Sequence, residues 1–175
     1  MHYKTPKQPH AVKGEIDLSE WHFTENQTIL LDGGWEFYPN EFIFFEPDSH
    51  LKTQEFITVP GDWRDKLLQK QEIETFGYGT YRLKIILPEG ENQLYGIRAN
   101  SVKTAANVYI DGVLVKEFGH TATSTDQHDG EHGPFSTVFQ PKRNEVELVM
   151  HASNYLWVKS EHFVWNSFGW RLQKK

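Results

Sequence analysis

The chain has 175 residues, enough for one all-β domain with a substantial core, and its formal net charge of −6 without a basic cluster argues against a nucleic-acid partner. It contains no cysteine, which excludes a disulfide framework, a thiolate metal site and a cysteine nucleophile. No apolar run has the length of a membrane span and MHYKTPKQPH lacks the apolar centre of a signal peptide, so the chain as given is expected to be soluble.

Residues 1–13, polar and holding Pro6 and Pro9, read as a tail or linker, and residues 14–175 as one β-sandwich domain. In GEIDLSEWHF, Ile16 and Leu18 alternate and Trp21 and Phe23 keep the phase, which predicts a short edge strand and a turn. ILLDGGWEFY follows. Asp32, Gly33 and Gly34 have the turn chemistry of a hairpin, with Trp35 and Phe37 on one face as core anchors and Glu36 and Tyr38 on the other. After Pro39, the run NEFIFFEPD fits either a strand or a helical turn, and EFITVP is a strand closed by Pro60.

Residues 62–75 are polar and form the first long connection, with Leu67 and Leu68 suggesting a helical turn or two. GYGTYRLKIILP shows the cleanest alternation in the chain: Tyr81, Leu83, Ile85 and Leu87 inward, Thr80, Arg82 and Lys84 toward water. QLYGIRA is a strand, and NVYIDGVLVKEF is a hairpin turning at Asp111-Gly112. Residues 119–134 form the second long connection. FSTVF, EVELVMHAS and a closing strand over 168–172 complete nine or ten short strands, and no segment reads as a long helix. This pattern predicts an all-β fold, an antiparallel β-sandwich.

Three chemistries bear on these residues. No nucleophile elbow, phosphate-binding loop, zinc-protease helix or placeable carboxylate pair occurs, so no catalytic residue is assigned. Asp126, His128, Asp129, Glu131 and His132 lie within seven residues and offer imidazole and carboxylate ligands for a divalent ion, although such glycine-bearing loops are usually solvated surface. No other cofactor is implied. Trp63 and Tyr78 bracket the first long connection, and Tyr155, Trp157, Glu161 and Trp165 lie in the last one. Aromatic faces stack on sugar rings and carboxylates accept hydroxyl hydrogen bonds, so these six form the candidate ligand site, against the plainer reading that they cover the sandwich ends.

The order LDGGWEFY, TVPGDW, YGTYRLKI, ANVYIDGVLV and NEVELVMHASN resembles the galactose-binding-like jelly roll that serves family 2 glycoside hydrolases as a sugar-binding domain. It resembles more closely the extracytoplasmic sensor domain of bacterial receptors with seven membrane helices and diverse intracellular signalling modules, because GEIDLSEWHF stands directly before LDGGWEFY. The resemblance covers roughly residues 14–172. It implies a domain without turnover of its own, outside the membrane, sensing a carbohydrate or other small polar ligand for a full-length protein with a histidine kinase or diguanylate cyclase module. The chain's own membrane module would be its partner. The alternative is the non-catalytic sugar-binding sandwich of a hydrolase whose acid/base pair lies on a separate barrel. Residues 160–169 depart from the family pattern, so no ligand residue carries over there.

Overall fold

The computed structural model describes residues 7–44, 55–61, 76–103, 105–124, 132–155 and 169–175. Among them are eleven strands and no helix. They are β1 (Glu15–Asp17), β2 (Thr28–Leu30), β3 (Gly33–Pro39), β4 (Glu55–Val59), β5 (Phe76–Ile86), β6 (Tyr95–Lys103), β7 (Ala105–Ile110), β8 (Val113–Phe118), β9 (His132–Phe139), β10 (Glu145–Tyr155) and β11 (Trp170–Lys174). One sheet runs β4-β3-β5-β10-β7-β8, with β1 added in parallel beside β5; the other runs β2-β11-β6-β9. All other strand pairings among the described residues are antiparallel, so the expected all-β sandwich is the observed architecture.

Alternation explains why these segments are strands. On β5, Tyr81, Leu83 and Ile85 are buried, as is Leu87 just beyond it, and they meet Val146, Leu148 and Met150 of β10 in one core with Trp35, Phe37, Ile97, Trp170 and Leu172. Trp35 and Trp170 link the two sheets with ring centroids 6.3 Å apart. The β7–β8 hairpin turns as expected at Asp111-Gly112, both in the left-handed region at φ 47° and 77°.

The expected hairpin at Asp32-Gly33-Gly34 does not exist. β2 pairs with β11 in one sheet and β3 pairs with β4 and β5 in the other, so this segment crosses between sheets. Gly33 lies at φ 117° for a different reason: a Cβ there would sit 2.3 Å from the Ala11 carbonyl oxygen. Residues 8–11, grouped by composition with a polar tail, occupy that space. Ala11 exchanges backbone hydrogen bonds with Asp32 and Gly34, and the Gln8 side chain bonds both backbone groups of Leu30.

Thr80 also departs from its expected wet position and is fully buried, because residues 41–43 lie over it. On the same outer face, Arg82 bridges Glu36 at 3.1 Å and Glu147 at 2.8 Å, and the Tyr38 hydroxyl donates to Glu36 at 2.8 Å. Burial, reinforced by that hydrogen bond, pushes the Tyr38 phenol well above its ordinary value and keeps it a donor.

The topology sorts the connections by end. β3, β8 and β10 finish, and β4, β5, β9 and β11 begin, at one end of the sandwich, so the connections 40–54, 119–131 and 156–169 leave and re-enter the sheets there. The other end carries the turns 87–94, 111–112 and 140–144.

Candidate functional site: an aromatic shelf beside the long connections

Tyr78 of β5 lies opposite Ser153 of β10, and Tyr155 lies opposite Phe76, so pairing brings two of the six candidate positions to the end of the sandwich that gathers the long connections. Tyr155 is described through its backbone alone. Trp63, Trp157, Glu161 and Trp165 fall outside the described residues, as do Asp126, His128, Asp129 and Glu131; His132 is described as backbone in β9, opposite Lys103. Among the described residues no group of histidine and carboxylate side chains could hold a metal ion.

The segment 40–44, which fitted strand or helical turn equally well, is an irregular strap over the outer face of β5, β10 and β7. Pro39 ends β3, and backbone donors and acceptors of the strap are then satisfied by side chains beneath it. The Thr80 hydroxyl donates to the Glu41 carbonyl at 2.7 Å and accepts from the Ile43 amide at 2.9 Å. The Asn40 amide donates to the Tyr78 carbonyl at 3.0 Å. His151 Nε2 donates to the Ile43 carbonyl at 2.7 Å, which fixes the proton on that nitrogen.

This arrangement builds an aromatic shelf. The Phe42 ring stacks on His151 with centroids 5.1 Å apart and meets the edge of Tyr78 at 5.2 Å. Phe44 is edge-on to His151 at 4.8 Å and to Tyr109 at 5.6 Å, yet remains 66% exposed. Sequence reasoning missed Phe42, Phe44, Tyr109 and His151; the available signal was three aromatics packed into NEFIFFEPD directly after a strand-ending proline. Ser153 ties the neighbouring connection to the shelf by accepting the Ala122 amide at 3.2 Å.

The chemistry on offer is stacking and hydrogen bonding. His151 has Nε2 committed to a backbone carbonyl, and no hydroxyl is bonded to its ring among the described residues. Burial lowers its pKa, with the bond to Ile43 opposing by a smaller amount. The unfolded imidazole titrates at about 6.5 and the folded one below that, so as pH falls through this region the unfolded chain takes up the proton first. Stability contributed by neutral His151 is complete above that range and declines until pH passes the folded value. His151→Gln keeps an N–H for Ile43, and we expect its urea midpoint to fall less than that of the parent between pH 7.5 and pH 5. Identical pH slopes for the two proteins would contradict the assignment.

No family model matches the chain. A β-glucuronidase of Streptococcus agalactiae is 26% identical over 133 residues, covering 74% of this chain and 20% of that protein. Among solved structures, the β-glucuronidase of Faecalibacterium prausnitzii superposes with TM-score 0.52 at 24% identity, covering 72% of this chain and 21% of the other. That of Bifidobacterium dentium gives TM-score 0.50 at 20% identity over 75% and 21%. The fold is that of a β-glucuronidase β-sandwich domain. These likenesses relate the chain to family 2 glycoside hydrolase domains, one of the two expected relations. The chain spans about a fifth of the length of the relatives it matches, and no helix among the described residues is long and apolar enough to cross a membrane.

Proposed function

We propose that this chain is a carbohydrate-binding β-sandwich module without turnover of its own, and that it takes its ligand at the end where the long connections gather. The carrying observation is the open Phe44 ring, backed by His151 and Tyr109 and adjoining Tyr78 through Phe42. Exposed aromatic faces offer the C–H face of a pyranose a flat apolar partner, and a rim of carboxylates and amides suits its hydroxyls. In this reading Tyr78, Tyr155, Trp157 and Trp165 extend the stacking surface and Glu161 accepts from a hydroxyl, whereas Trp63 follows β4, which finishes at the other end of the sandwich, and is left out of the surface. A glucuronide is the first ligand to try, since the Bifidobacterium dentium β-glucuronidase was solved with coumarin-3-O-glucuronide.

The test is a panel of immobilised glycans read with the intact chain and with Phe44→Ala, Trp157→Ala and Trp165→Ala, each checked for its circular-dichroism melt. A stacking residue removed should cost about tenfold or more in affinity while the fold survives. Binding unchanged in every variant, or loss of folding in Trp157→Ala and Trp165→Ala together, would count against the site.

A second reading places the module outside the membrane as the sensor of a receptor with a kinase or cyclase output. It rests on GEIDLSEWHF standing directly before LDGGWEFY in the sequence; in the fold Ile16 and Leu18 are fully buried and Trp21 and Phe23 pack against the core, which either reading accommodates. A ligand biases such a receptor only through unequal affinity for its two signalling states. Deleting the module from a full-length receptor that carries it should abolish the ligand response; an unchanged response would leave the hydrolase-type module as the reading.

A further inference from the structure

A cleft of about 580 Å³ opens at the opposite end of the sandwich, between the β5–β6 turn and the β9–β10 turn. The two turns are clamped together at its base by the Leu87 amide, which donates to the Asn144 carbonyl at 2.7 Å. At its mouth the Gln140 side-chain amide donates to Asn92 Oδ1 at 3.2 Å. Asn92 is held at φ 55°, a conformation that turns its side chain away from ordinary strand geometry.

Tyr95 lines this cleft although it is only 3% exposed. Its ring is wedged between Phe23 at 5.6 Å and Phe139 at 6.4 Å, and its hydroxyl has no hydrogen-bond partner among the described residues. The hydroxyl is not among the enclosed unpaired side-chain atoms, so the ring is buried while its oxygen opens on the cleft, where a ligand group can meet it. Around the mouth stand Lys142 and Arg143, neither in an ion pair among the described residues, with Glu91 in the lining and Glu89 on the same turn. The two turns balance in charge, and what they offer an anion is two cations without an ion-pair partner.

The geometry points to a second binding site in this cleft, for a small sugar acid. Its volume lies within the usual range for small-molecule sites, roughly 300 to 1,000 Å³. Leu87 and Pro88 supply an apolar wall, the side-chain amides of Asn92 and Gln140 have capacity left for hydroxyls, and the Tyr95 hydroxyl reaches the ligand from below. The guanidinium of Arg143 offers a carboxylate two parallel hydrogen bonds, and Lys142 adds charge. The site is separate from the aromatic shelf, so failure of either leaves the other standing.

The experiment is a nuclear magnetic resonance titration of the isotope-labelled chain with sodium D-glucuronate, D-glucose and sodium acetate at fixed ionic strength. Glucuronate should move the amides of residues 87–95 and 140–144 saturably. Lys142→Ala/Arg143→Ala, altered only at exposed turn positions, should weaken glucuronate by about tenfold, the size of one charge-assisted pair. Tyr95→Phe, which keeps the ring and removes the hydroxyl, should weaken it by a few-fold. Acetate matching glucuronate would reduce the effect to general anion attraction and overturn the proposal. So would glucose binding equally well, or glucuronate leaving these turns unmoved.

Discussion

Trp35→Ala is expected to lose about 3 to 5 kcal/mol of folding stability, the usual cost of deleting a large core aromatic. Trp35 is fully buried on β3, packs across the sandwich against Trp170 of β11, and donates from Nε1 to the Leu31 carbonyl at 2.9 Å. The side chain therefore joins the two sheets and satisfies a carbonyl at the point where the chain passes between them. Trp35→Phe retains apolar volume and forfeits that hydrogen bond, so it should fall between the parent and the alanine variant. Against a total of about 5 to 15 kcal/mol for ordinary domains, the alanine variant would sit close to unfolding. Urea denaturation measures all three, and a loss below about 1 kcal/mol in Trp35→Ala would contradict the packing described.

The second large effect is expected at Arg82. Its guanidinium joins β3 to β10 across β5 by reaching Glu36 and Glu147, with all three side chains a quarter exposed or less. Arg82→Met keeps most of the apolar stem and leaves two neighbouring carboxylates without their cation. Removing one partner of a buried pair costs about 3 to 5 kcal/mol, and the residual exposure here places the expectation near about 3 kcal/mol. Adding Glu36→Gln to Arg82→Met removes one of the stranded charges and should restore more than half of the loss. A double variant no more stable than Arg82→Met would show that the network contributes by packing and not by charge.

Local chemistry was legible in the sequence wherever one segment decided the outcome. Asp111-Gly112 is a hairpin because two adjacent residues tolerate positive φ, and β5 is a strand because its own alternation selects one buried face. Asp32-Gly33-Gly34 has the same local signature and a different fate, decided by residues elsewhere. Leu31 donates to the Trp170 carbonyl, and the Ala11 backbone fills the space beside Gly33, so partners distant in sequence draw β2 and β3 into different sheets. Thr80 is buried for the same kind of reason, under a strap whose Glu41, 39 residues earlier, accepts its hydroxyl. The shelf joins positions 42, 44, 109 and 151, and no window of sequence contains them together. Tyr78 stands out in sequence only as an aromatic bracketing the first long connection; its place beside Phe42 follows from the pairing of β5 with β10 and from the strap, neither of which one segment reveals.

The most direct test of ligand binding at that end is a titration of the labelled chain with methyl β-D-glucuronide and a panel of neutral methyl glycosides, following backbone amides and the integrity of each glycoside. The account predicts that at least one glycoside moves the amides of Phe42, Phe44, Tyr78, His151 and Ser153 together and saturably, and is recovered uncleaved. A panel in which no member moves these amides, or in which the chain itself cleaves a glycoside, would contradict it.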